Sequence, residues 1–168
     1  VTSLTGSKVF LYFDGDHETF DKQIKEGIAH VLINQQVYGS NWSQVLKNSS
    51  LLSLPEWYQK GLTSYISNNW DHEIENSVRD GITSGKYRKF NRLTDEQAII
   101  AGHSLWAYIV DTYGETVVPN ILYMTRVTQS VEKGFLYVLG VSMKNLTQEW
   151  HAYYKNEDKK ILPDQEVD

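Results

Sequence analysis

Apolar residues recur along most of this chain at intervals of three and four, the period of a helix with one buried side. Residues 18–38 carry Phe20, Ile24, Ile28, Val31 and Leu32 on one predicted face. Residues 55–68 read as a second helix, with Pro55 in its first turn, where a missing N–H does no harm, and with Trp57, Leu62, Tyr65 and Ile66 turned inward. A third spans 71–82 through Ile74, Val78 and Ile82, and residues 84–91 form a basic, glycine-containing connection. Thr94-Asp-Glu-Gln97 has the form of a capping box, a hydroxyl at the cap and an amide three residues later. It opens a strongly apolar helix over 98–113 (Ile99, Leu105, Trp106, Ile109, Val110), which is predicted to be the most buried and to stop at Gly114. Helices over 117–126, 131–139 and 142–154 follow, with Gly140 as a stop and Ser142 as a cap.

Only residues 8–13, K-V-F-L-Y-F, have the β-branched and aromatic content of a strand, ending at Asp14-Gly15. A single strand forms no sheet, so its partners are expected upstream of residue 1 or in another chain. Residues 39–53 are polar and predict a loop with a short turn at 42–46. After Lys155 the chain is charged and interrupted by proline, and reads as a linker or exposed tail over 155–168. The fold class is therefore mostly α (α+β): a helical domain over 1–154 with one N-terminal strand, belonging to a small sheet completed elsewhere.

Composition narrows the function. Its 168 residues suit one domain with a full core. A net charge of −5 and a pI near 5.5 give no electrostatic footprint for nucleic acid. No apolar run reaches the roughly 18–20 residues that span a bilayer, and V-T-S-L-T-G-S-K has no signal-peptide character. The absence of cysteine excludes disulfides, thiolate metal sites and thiol nucleophiles. Abundant tyrosine and tryptophan serve packing, or an aromatic cleft that grips a peptide or sugar. The sequons at Asn41, Asn48 and Asn145 are too common a pattern to inform.

Two stretches resemble halves of a zinc-protease site. In H-E-x-x-H, two histidines one turn apart bind zinc and the glutamate between them activates water. Residues 26–30 read E-G-I-A-H, and residues 54–65 read L-P-E-W-Y-Q-K-G-L-T-S-Y. The order continues with H-E-I-E-N-S-V-R-D-G at 72–81, G-H-S-L-W-A-Y-I-V-D-T-Y-G at 102–114 and V-L-G-V-S-M-K-N-L-T-Q-E-W at 138–150. Together these resemble the peptidase MA-like branch of the gluzincins, over nearly the whole chain.

The resemblance implies a zincin-type helical domain. In some proteins of this kind such a domain precedes a TolB-like β-propeller in an exported, periplasmic or cell-envelope protein. It places the metal ligands at Glu26, His30 and Lys60 and the catalytic base at Gly27. Glycine is no base, and an ammonium repels a divalent cation. Without the base, catalysis typically worth about 10²–10⁴-fold disappears. The resemblance thus implies a degenerate peptidase with no cofactor and no bound metal. Lys60 is expected to replace the zinc charge by pairing with Glu26 and bonding His30; the alternative is that it swings out to solvent.

The groove between the first two long helices is expected to be lined by Glu26, His30, Trp57, Lys60 and Tyr65. His103 and Tyr108 are candidate remnants of an oxyanion-stabilising group, or simply packed residues. His72-Glu73-Ile74-Glu75-Asn76 falls short of H-E-x-x-H and, with Asp71, reads as a solvated acidic face. Asp14-Gly-Asp16-His-Glu18 lacks the length of a calcium loop and reads as a turn with Asp16 as helix cap.

The expected function is a non-catalytic peptide- or protein-binding or structural module of a larger exported protein. One alternative is a working zinc peptidase using Glu26, His30 and another carboxylate such as Glu56. The other is an assembly domain docking a β-propeller or partner chain, marked by an exposed apolar patch away from the groove.

Overall fold

A computed structural model of the protein describes residues 3–5, 8–39 and 52–161, with side chains over 8–39 and 52–155. Strands β1 (Ser3–Thr5) and β2 (Lys8–Phe10) are followed by helices α1 (His17–Tyr38), α2 (Glu56–Ser67) and α3 (His72–Thr83). A 3₁₀ segment, Lys86–Arg92, leads into α4 (Asp95–Tyr113), α5 (Val117–Thr128), α6 (Val131–Leu139) and α7 (Met143–Ile161). The chain is mostly helical, as its apolar period predicts. The body of the predicted loop (residues 40–51), with its turn at 42–46, Asn41 and Asn48, lies outside the described residues, as does the tail from 162.

Helix α4 is deeply buried, with Ala98, Ala101, Leu105, Trp106 and Ile109 all inaccessible to solvent, and α2 is buried over a comparable share of its length. Helix α2 lies against it at backbone contact: a methyl placed on Gly61 would meet Gly102 Cα at 2.4 Å. Around this seam an aromatic cluster forms the core. Trp57 packs on Phe90 at 4.9 Å between ring centres, Tyr58 on Trp106 at 5.4 Å, and Phe90 on Trp150 at 5.2 Å. The polar ends of these rings are satisfied. Trp106 Nε1 donates to the Tyr58 carbonyl at 3.0 Å, and the Tyr58 hydroxyl donates to Thr125 Oγ1 at 3.0 Å. Buried polar groups left without such partners would each be expensive.

Four expectations are corrected. Strand β2 ends at Phe10, short of residue 13, and its partner is this chain's own β1, antiparallel with Leu4 opposite Val9. On α1 the packed face is Gly27, Ala29, Ile33, Asn34 and Val37, whereas Ile28 and Leu32 are more than half exposed. Small residues, not the largest apolar ones, let the neighbouring elements approach there. The hydroxyl of Thr94 makes no capping bond; Asp95, at φ 53°, gives its N–H to Glu56 Oε2 at 3.0 Å. Finally, α7 continues through Ile161, since no glycine or proline interrupts the sequence between Met143 and Pro163. Asp16 and Ser142 do cap their helices, accepting from the N–H groups of Thr19 and Asn145.

Candidate functional site

The interior of α1 holds a glycine where helix propensity argues against one, and the hairpin supplies the reason. A methyl on Gly27 would stand 2.6 Å from Val9 Cγ1, so the space that a side chain at the base position would need is filled by β2. One turn on, His30 is half-buried, and desolvation lowers its pKa below the ordinary histidine range. Asn34, one turn further, accepts a hydrogen bond from Gln59 Nε2 at 2.7 Å and ties α1 to α2.

Lys60 does not meet Glu26. Its ammonium lies 2.5 Å from Glu56 Oε2, one turn back along α2, with both side chains substantially exposed. Glu56 thus has two partners, Lys60 and the Asp95 N–H, and these hold its carboxyl below the usual range, Lys60 contributing most. Among the described residues no hydrogen bond or ion pair joins Glu26, His30 and Lys60. An exposed i,i+4 pair contributes little, about 0.3–0.5 kcal/mol. Lys60→Met is therefore expected to shift unfolding free energy by less than about 0.5 kcal/mol in urea titration and to leave the His30 titration unmoved by NMR.

The remaining groove candidates scatter. Trp57, expected to line the groove, is instead wholly buried in the aromatic core, where Nε1 donates to Asn91 Oδ1 at 3.0 Å. Its indole is the anchor of the core, which is what a fully desolvated ring with a satisfied N–H does best. Tyr108, on the α7 side of α4, donates to Glu149 Oε2 at 3.4 Å. Tyr65 is half-buried and meets His103 edge-on at 5.8 Å.

A zinc ion does not fit the vestigial positions. The donor set offers one imidazole and one carboxylate, the third position is an ammonium already paired, and the base position is occupied by Val9. Among the described residues no group of three or more histidine or carboxylate side chains is placed to hold a metal ion.

Of the eight candidates, His103 lines a cleft among the described residues. This cleft, of about 730 Å³, lies between the start of α1, the end of α2, the start of α3 and α4. Sequence reasoning missed what His103 does there. Asn68 Nδ2 donates to Ser64 Oγ at 3.0 Å, and Ser64 Oγ lies 3.0 Å from His103 Nδ1. Ser64 Oγ, which accepts from Asn68, and His103 Nδ1 share one hydrogen bond whose direction follows the histidine tautomer. Burial drives the His103 pKa down to about 4, with nearby Asp71 opposing the shift. Ser64 and Asn68, four apart on one predicted helix, were the available signal for this network.

That arrangement is not a nucleophile site. Ser64 lies within the body of a helix, and the third group, Asn68, bonds the serine instead of orienting the histidine. The acidic lining of the cleft is structural in large part: Asp16 and Asp71 cap α1 and α3, and Glu18, Glu73 and Glu96 lie in first turns. The His72 side chain is fully exposed, 3.7 Å from Glu75, which in turn binds Arg79 at 2.6 Å.

Comparison with protein-family models, curated proteins and solved structures finds no match for this chain.

Proposed function

We propose that the chain is a non-catalytic, peptidase-like domain that binds a peptide or protein as part of a larger exported protein. The observation that carries this reading is the Val9 methyl against Gly27, because it leaves no room for a side chain at the position that the resemblance gives to the general base. The Lys60–Glu56 pair adds to it, since it turns the third ligand position away from Glu26 and His30. Binding needs shape and contact but no metal, so the loss of the chemistry does not remove that role.

The test exposes the protein to a degenerate peptide mixture with equimolar zinc, then with chelator, and follows both cleavage and retention by mass spectrometry. Intact peptides, some of them retained by the protein, are the expected result. Chelator-sensitive cleavage would overturn the proposal in favour of a peptidase built on Glu26, His30 and Glu56. Neither cleavage nor retention would favour the assembly reading. That reading has one observation behind it: the α5–α6 pair leaves Tyr123, Val127, Leu136 and Tyr137 well exposed, where a β-propeller or partner chain could dock.

A further inference from the structure

A second cleft, of about 660 Å³, lies on the side of the molecule formed by the 3₁₀ segment and the starts of α6 and α7. Its charged residues are Arg88, Lys89, Arg92 and Lys144 against the single carboxylate of Glu132. In a chain of net charge −5 this is a local reversal of sign.

The charges of the acidic cleft are largely accounted for by helix starts, but those of the basic cleft are not. No ion pair among the described residues joins any of these four cations to a carboxylate. Lys144 sits in the first turn of the long helix α7, where a cation opposes the helix dipole. Four like charges at close quarters also repel one another. Their placement therefore lowers stability unless something anionic joins them.

The segment that displays them is held firmly. Phe90 is buried between Trp57 and Trp150, and Asn91 receives the Trp57 indole N–H. Tyr87 is buried against Gly81, with its hydroxyl donating to the Ser77 carbonyl at 3.3 Å. Arg88, Lys89 and Arg92, which neighbour these anchors in the chain, are all exposed. The backbone that carries them is held by the anchors, so binding orders the side chains alone.

We infer that this basic cleft is a docking site for an acidic peptide segment of a protein partner. Its volume falls within the range of about 300–1,000 Å³ usual for ligand sites, far more than one phosphate group fills. Phe90 and Met143 line the floor and keep a small exposed edge there, 7% and 8% of their surfaces, as its apolar component. Four cationic side chains, two of them guanidinium forks, match successive carboxylates. The site is separate from the vestigial peptidase positions and stands whether or not that reading holds.

The experiment titrates the protein with a fluorescein-labelled hexaglutamate peptide at low and at physiological salt. Saturable binding that weakens with salt is expected, and Arg88→Glu/Lys144→Glu should weaken it at least tenfold. Lys22→Glu/Lys25→Glu, the same charge change in the other cleft, should leave it within about twofold. All four positions are exposed, so unchanged melting curves check that the variants fold. Absence of saturable binding, or equal loss in both double variants, would overturn the proposal. So would tighter binding of inorganic phosphate, oligothymidylate or phosphatidylserine vesicles than of the peptide.

Discussion

Gly102→Ala is expected to lower the unfolding free energy by about 3 kcal/mol or more, at the upper end of what overpacking a core does. The added methyl would stand 2.2 Å from the Trp57 carbonyl oxygen and 2.8 Å from Gly61 Cα. These neighbours are backbone atoms of α2, so no rotamer change relieves the clash, and α2 must move away from α4. That movement would open the contacts of Tyr58 with Trp106 and break the Trp106–Tyr58 hydrogen bond. For a domain of this size each kcal/mol shifts the melting temperature by roughly 2–4 °C, so a fall of about 6–12 °C should appear in a calorimetric scan. Gly140→Ala is the control. Nothing lies near that position, and its left-handed φ of +73° and ψ of 8° leave only backbone strain of about 1–2 kcal/mol. Equal effects of the two substitutions would contradict the tight α2–α4 seam.

Acid sensitivity between about pH 6.5 and 4 is the second large effect. His103 is neutral in the folded protein down to about pH 4, whereas in the unfolded chain it takes up a proton near 6.5. The unfolded state therefore binds more protons across this window, and stability rises with pH through it and is lost as pH falls. The shift corresponds to about 3 kcal/mol at roughly 1.4 kcal/mol per pH unit. His30 and His151, both lowered by burial, act in the same direction. The capping carboxylates act elsewhere. Asp16 and Glu56 have depressed pKa values, so their contributions are present above their ordinary range near 4 and are lost below it. Urea titrations of the parent and of His103→Gln across pH 4–7 separate the two. The variant should show a much flatter slope above pH 4.5, and an unaltered slope would remove His103 as the cause.

Much of the fold is legible in the amino-acid order because long helices repeat their apolar positions and announce their ends. Asp16, Ser142, Gly114 and Gly140 fall where the sequence places them. Misreadings arise where small residues decide packing. The face of α1 with Phe20, Ile24, Ile28, Val31 and Leu32 has the larger apolar side chains, yet Ala29, Ile33 and Val37 are buried, because α1 packs on α2 and α5. The β1–β2 pairing was also open to inference: Gly6-Ser7 between two short β-prone stretches is a hairpin dipeptide. Sequence alone gives no direction for a flexible cation, so Lys60 was open to pairing with Glu26 or to solvent. The i,i+4 spacing on its own helix was the signal for Glu56. Trp57 illustrates the opposite difficulty, since an aromatic residue next to a position that the resemblance gives to a ligand reads equally as groove wall or core.

The proposed function puts no metal ion at the positions that resemble a peptidase site. Its most direct test is zinc content per chain, by plasma mass spectrometry on untagged protein exposed to zinc and then desalted. Thermal melting with and without chelator accompanies it. The account predicts far less than one zinc per chain and superimposable melts. About one zinc per chain with a chelator-sensitive melt would contradict it, and would mean that Glu26 and His30 recruit a third ligand despite Val9 and the Lys60–Glu56 pair.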